Sequence, residues 1–225
     1  MFFDPMYLII VGPGILLSLL AAAWVKAAFS KYSKVAASSG MTGAEAARQL
    51  LRSSGIRNVE VELHQGMLSD HYHPLKKVVR LSPDVYQGRS LAALGIAAHE
   101  VGHAIQDHQR YALMTLRQSL VGPANLGSNL SFVLIIIGFL LHAGGLVWAG
   151  IALFSAVVLF QLVTLPVELD ASRRAKRNLA AAGIVSQTEL GGVSKVLTAA
   201  AMTYLAALLT SILQLVYFLT LARDD

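Results

Sequence analysis

No cysteine occurs anywhere in the 225 residues. That absence excludes disulfides, thiolate metal sites and a cysteine nucleophile, so any metal centre must be built from histidine and carboxylate. Charge is also scarce. Asp, Glu, Lys and Arg make up 14% of the chain, where a soluble protein carries about 25%. Hydrophobic residues reach 55% and mean hydropathy is +0.59. This balance excludes an ordinary soluble domain and points to a bilayer. A basic stretch ahead of the first apolar run is missing too: only Asp4 is charged there. A cleaved secretory signal needs such a stretch, so the run reads as a retained membrane helix. Neither internal repeats nor low-complexity tracts are present.

Four long apolar runs stand in place of the missing charge. Residues 7–29 form the first, with the N-terminus outside. Residues 126–141 and 146–167 flank a short uncharged linker and read as a transmembrane hairpin, and residues 196–222 make the fourth span. Between the first and second runs the chain turns polar. Thr42-Gly43-Ala44-Glu45 is a capping box opening a helix to about Arg52, with Gly55 just past its end. Residues 59–63 alternate like a half-buried strand and residues 78–81 predict a second, with 66–74 as their connection. Ser82-Pro83 starts a short helical turn, and Ser186-Gln187-Thr188-Glu189 is another capping box.

The expected architecture is a mainly α integral membrane protein, with four transmembrane helices and a small α+β unit on the cytoplasmic face. By residue number it comprises an N-terminal transmembrane helix in 1–29, a cytoplasmic α+β unit in 30–121, the transmembrane hairpin in 122–167, a cytoplasmic segment in 168–195 and a C-terminal transmembrane helix in 196–225. A net charge of +5 raises the question of nucleic acid. Yet every Lys and Arg except Arg223 falls in 30–121, in 168–195 or at their boundaries. That one-sidedness is the positive-inside signature of orientation in a plasma (inner) membrane. The expected partner on this evidence is the lipid bilayer, with no nucleic acid.

The chemistry is concentrated in Ala97-Ala98-His99-Glu100-Val101-Gly102-His103-Ala104, which reads H-E-x-x-H. On a helix His99 and His103 share one face and can bind a single Zn2+ ion. Glu100 lies beside that face, placed to take a proton from a zinc-activated water as general base. Ser90 suits the N-cap, and no proline interrupts residues 91–106. A charged Glu between two histidines would be an odd way to build a plain core, which argues against a chance match.

A catalytic zinc usually takes three protein ligands. Gln109 stands where an extended metzincin pattern would need a third His, and His108 is out of phase with His99. Glu168, expected near a helix start after Pro166, is the candidate third ligand. Asp170 cannot share its face and suits a role in orienting a ligand histidine. The polar cluster 70–73 could supply an oxyanion donor, although such clusters are commonly polar turns.

Beyond these motifs the chain resembles the YugP-like membrane-bound neutral zinc metallopeptidases. The resemblance is carried by Leu68-Ser69-Asp70-His71-Tyr72, Val79-Arg80-Leu81-Ser82-Pro83-Asp84-Val85-Tyr86, the H-E-x-x-H string through Gln106, and Val167-Glu168-Leu169-Asp170-Ala171-Ser172-Arg173-Arg174-Ala175. It implies a zincin-like catalytic unit in 30–121 that hydrolyses peptide bonds in protein or peptide substrates, membrane proteins among them, with His99, His103 and Glu168 binding zinc and Glu100 as base. More distant gluzincin membrane proteases carry E-x-x-x-D after the hairpin, but here Ser172 holds the Asp position. Two rival readings are an intramembrane site-2-type zinc protease and a non-catalytic zinc-binding membrane scaffold. In the favoured reading the strand 78–81 receives an extended substrate by β-addition.

The charge pattern makes topology testable. Reporter fusions at Asp70 and Gln187 are expected to read cytoplasmic, and a fusion within 142–145 external. Opposite locations for the first two would separate Glu168 from the histidines and dismantle the site.

Overall fold

The computed structural model describes residues 5–66 and 69–223. Expectations that fall on residues 1–4, 67–68 and 224–225, Leu68 of the resemblance string included, lie outside the described residues. In chain order the elements are α1 Pro5–Tyr32, α2 Gly43–Ser53, β1 Glu60–Leu63, β2 His71–His73, β3 Val78–Leu81, α3 Pro83–Tyr86, α4 Leu91–His108, α5 Ala112–Leu140, α6 Gly144–Ala181 and α7 Gln187–Leu221. The chain is mostly helical with one small sheet, and α1, α5, α6 and α7 are long and apolar enough to cross a membrane.

Prolines do not break these long helices. Pro13, Pro123 and Pro166 all lie inside them. The expected helix start after Pro166 is therefore corrected: α6 runs through it, carrying Glu168 in its interior. A proline removes one backbone bond, whereas a break within an apolar segment would strand several polar groups where no water can satisfy them.

Two compact units are made by the chain. One comprises Met1–Ala22, Ala112–Pro166 and Met202–Asp225. Its core gathers Val11, Ile135, Val147, Ile151, Phe154, Tyr217 and Phe218. Phe154 and Phe218 meet edge to face, with centroids 5.2 Å apart, a favoured aromatic geometry. Gly138 faces Val147 and Gly150 faces the Ser131 carbonyl, each too close to admit a Cβ. Small residues of this kind let membrane helices pack tightly.

The other unit comprises Ala23–Tyr111 and Val167–Ala201. The capping box at Thr42 is present in full, with Glu45 bonded back to the Thr42 N–H. The sheet has the order β1-β3-β2, with β1 parallel and β2 antiparallel to β3. β2 lies in the stretch expected to be a plain connection. Three residues reading His-Tyr-His carry no apolar alternation from which a strand can be recognised.

The central place of β3 corrects the expected substrate strand. Glu60 donates to Lys77 and His64 to Leu81, so alternate residues of β3 serve β1. Val78 and Arg80 then face their β2 partners His73 and His71. β3 has no free edge to receive a peptide.

Helix α4 is slim where it meets its neighbours. A Cβ on Gly95 would stand 3.1 Å from the Val193 side chain, and one on Gly102 would stand 2.7 Å from the Ala171 carbonyl oxygen. A side chain can turn aside, but a helix carbonyl cannot. Gly102→Val should destabilise the protein by about 1–3 kcal/mol, the usual range for overpacking, and by clearly more than Gly95→Ala. Thermal unfolding in detergent checks this, and equal losses would contradict the backbone clash.

Candidate metal centre

The site is assembled by α4 and the Val167–Ala181 part of α6, both within the second unit. Ser90 caps α4 by accepting from the Ala93 N–H. From that start the helix carries His99, Glu100, His103 and Gln106 in consecutive turns, the last three buried. The two imidazoles stand edge to face, with centroids 4.7 Å apart and planes at 84°.

Glu168 is only 2% exposed and meets both rings. Its Oε2 lies 3.1 Å from His99 Nε2 and 3.4 Å from His103 Nε2. These three side chains form a group able to hold a metal ion. Donors about 2.0–2.1 Å from one tetrahedral ion stand about 3.3–3.4 Å apart. The observed separations are close to that edge length. A His2Glu set is also a donor chemistry used by catalytic zinc, which leaves one coordination position open.

The other ring nitrogens are occupied, which turns both Nε2 atoms towards Glu168. His103 Nδ1 lies 3.0 Å from Gln106 Oε1. Gln106 is fully buried, and its amide donates to the Val167 carbonyl at 2.8 Å and to Asp170 Oδ2 at 2.9 Å. Because the amide nitrogen is spent on those acceptors, its oxygen faces His103 and fixes the Nδ1–H tautomer. Asp170 thus reaches His103 through Gln106, and is itself bonded by Arg174 Nε. Arg174 also donates to Gln109 at 2.6 Å and lies over the Tyr111 ring.

His99 Nδ1 lies 3.1 Å from the Ser172 hydroxyl. Ser172 was not singled out as a site residue from the sequence, yet it occupies the position where distant relatives place Asp. Four residues after Glu168 on one helix, it shares Glu168's face. The spacing was the available signal; a serine was too common to give it weight.

Glu100 sits beside the group, its Oε2 accepting the Tyr72 N–H at 2.9 Å. That N–H is on the outer edge of β2, away from β3. Burial pushes the Glu100 carboxyl up to about 7, opposed by His99 and the Tyr72 N–H and reinforced by Glu168 and Asp70. The Tyr72 hydroxyl donates to Asp107 Oδ2 at 2.6 Å, and Lys77 pairs with the same oxygen at 2.5 Å. Burial first, and Asp107 second, hold the phenol well above its usual range. These bonds clamp β2 to α4.

The rest of the 70–73 cluster is otherwise engaged. Asp70 accepts from the Ser82 N–H at 2.7 Å and from its hydroxyl, while burial raises its carboxyl above the usual range. His71 pairs through Nδ1 with the Ser69 carbonyl, and strand alternation puts His71 and His73 on the sheet face opposite Tyr72. His108 is exposed at the end of α4.

A mainly helical chain with membrane-length helices and a His2Glu group beside a buried glutamate has the make-up of a membrane zinc peptidase. The family described as "Putative neutral zinc metallopeptidase" matches residues 7–223, and the chain belongs to it. The chain is 48% identical over 212 residues to the Bacillus subtilis (strain 168) protein named "Putative membrane protease YugP", covering 93% of this chain and 94% of that one. No solved structure matches. Zn2+ is accordingly the metal for this centre.

The support of His103 yields a graded expectation. Gln106→Ala removes the acceptor of the Nδ1–H bond and should weaken zinc binding about tenfold to a hundredfold, the range for partners of a ligand histidine. Asp170→Ala leaves that acceptor in place and should cost less than Gln106→Ala. Chelator competition on the purified variants measures both, and the reverse order would contradict the relay.

Proposed function

We propose that the protein is a zinc-dependent membrane endopeptidase, with His99, His103 and Glu168 holding the metal and Glu100 acting as general base. The observation that carries this reading is the buried Glu100 carboxylate beside the His2Glu group, fixed through one oxygen and free at the other. Its Oε2 is tied to the Tyr72 N–H, while no bond occupies Oε1 among the described residues.

Zinc, when bound, supplies a Lewis acid that brings the pKa of a water to about 7 and polarises a scissile carbonyl. Glu100 Oε1 takes the proton from the attacking water and returns it to the leaving amine nitrogen as the C–N bond breaks. The Tyr72 N–H holds the carboxylate in one orientation through both transfers. Gln106 and Ser172 keep the two imidazoles turned inward.

The catalytic unit, residues 30–121 with 168–195, is zincin-like in this reading and faces the cytoplasm from the plasma membrane. The one-sided Lys and Arg distribution supports that orientation. Substrates are then peptides or proteins, membrane proteins among them, presented on that side. The site-2-type alternative is disfavoured because α4 is not one of the four membrane-length apolar helices. A zinc scaffold has no use for a buried carboxylate beside an open coordination position.

Purified protein should hold about one zinc per chain, and His99→Ala, His103→Ala and Glu168→Ala should each largely lose it. Glu100→Gln should keep its zinc and lose about a hundredfold to ten-thousandfold in peptide hydrolysis, the range for a general base. Metal analysis beside a peptidase assay decides. Retained activity in Glu100→Gln would remove the base from the mechanism, and zinc retained in all three ligand variants would remove the centre.

A further inference from the structure

The far edge of the sheet carries a second feature that the metal site does not use. Between the end of α2 and β1 lies a groove of about 690 Å³, within the range for ligand-binding clefts. Three arginines line it, Arg48, Arg52 and Arg57, against a single carboxylate, Glu60. The neighbouring Glu62 is already paired with Arg80 at 3.3 Å. Arg48 is locked in place: it donates to the Tyr86 hydroxyl at 2.6 Å and to the Val61 carbonyl at 3.3 Å, and lies over the Tyr86 ring. Arg52 and Arg57 are exposed and have no carboxylate partner among the described residues. The floor beneath them is apolar, with Leu51 and Ile56 buried.

The backbone beside these arginines is an open edge. Residues 60, 62 and 64 of the β1 segment pair with β3, as the Glu60 and His64 bonds show. Val61 and Leu63 therefore turn their N–H groups outward. Leu63 is also 44% exposed, although edges are commonly blunted against pairing with another chain. A free strand edge supplies main-chain bonds to an extended peptide, and guanidinium groups beside it select carboxylates on it.

We propose that this groove docks an extended acidic segment of another protein, added as a strand to β1 with its Asp or Glu side chains on Arg52 and Arg57. The site is separate from Glu100, which lies against the opposite edge of the sheet, and it does not depend on the catalytic reading. The locked guanidinium of Arg48 closes the groove at the Val61 carbonyl and leaves the Val61 N–H for the incoming chain.

The test uses the full chain in detergent as its Glu100→Gln form, so that no bound peptide is turned over. The probe is a fluorescein-labelled eight-residue peptide alternating Asp and Val, which puts all carboxylates on one face when extended, with a Lys–Val peptide as control. Fluorescence anisotropy should show saturable binding of the acidic peptide only. The Arg52→Glu, Arg57→Glu double variant should weaken it at least tenfold, with unchanged far-ultraviolet circular dichroism. Of two peptides N-methylated at either all odd or all even residues, one should bind at least tenfold more weakly, because only one edge faces β1. Unchanged affinity on charge reversal would overturn the proposal, as would equal binding of both methylated peptides. Saturable binding of short-chain phosphatidylglycerol without peptide binding, abolished by the same charge reversal, would replace it with a lipid-headgroup site.

Discussion

A carboxylate with 2% exposure held against two imidazole nitrogens is the interaction on which the centre depends. Burying Glu168 alone would cost several kcal/mol, so the fold must give it charge partners and hold them there. A divalent cation shared by Glu168 and the two histidines would meet that need. Their spacing rests on how closely α4 approaches α6. Gly102 lies between the two histidines in sequence and touches the Ala171 backbone, and Ala171 is three residues beyond Glu168. A larger residue at 102 would move the donors apart before it touched any of them. Packing and metal chemistry are therefore one constraint on this pair of helices.

The same pair explains which parts of the centre were legible in the sequence. H-E-x-x-H declares itself because its spacing is a helical turn, and the helix is fixed by Ser90 and unbroken over its length. Glu168 was found as the carboxylate just after an apolar run. The environment of these residues was harder to read. Gln106 looks like any polar residue near a helix end, and its burial is set by α6, 61 residues away along the chain. Ser172 was noticed only as a departure from a pattern. Residues whose role depends on a distant backbone carbonyl or ring nitrogen carry little local signal.

The fold divides along similar lines. Apolar length identified the four long helices, and the capping boxes at Thr42 and Ser186 marked true helix starts, since side-chain and backbone donors are satisfied there locally. What failed was punctuation. Pro166 reads as a boundary because proline lacks an N–H, yet α6 continues, since the rest of its hydrogen-bond ladder outweighs one missing bond. β2 failed for the opposite reason. It is a strand by virtue of its partners, β3 on one side and the Glu100 carboxylate at its outer edge, and three residues cannot announce that alone.

Charge placement around the two histidines bears on how the centre works. Carboxylates often accept the second N–H of a metal-ligating histidine, which raises the ring's basicity. Here both partners are neutral, a serine hydroxyl for His99 and a glutamine amide for His103. The nearby Asp170 is kept one residue further out and is covered by Arg174. Glu168 is thus the only anion among the three donors, and neither ring borrows negative charge from its support. Neutral support of this kind would leave an ion held by His99, His103 and Glu168 more of its charge, and so a stronger Lewis acid. In the proposed mechanism Glu100, lifted by burial, is matched to accept a proton near neutrality, where a carboxylate at its ordinary pKa would be a weak base. On that mechanism, neutral support for the ligands and a buried base are complementary parts of one arrangement, and the first makes the second useful.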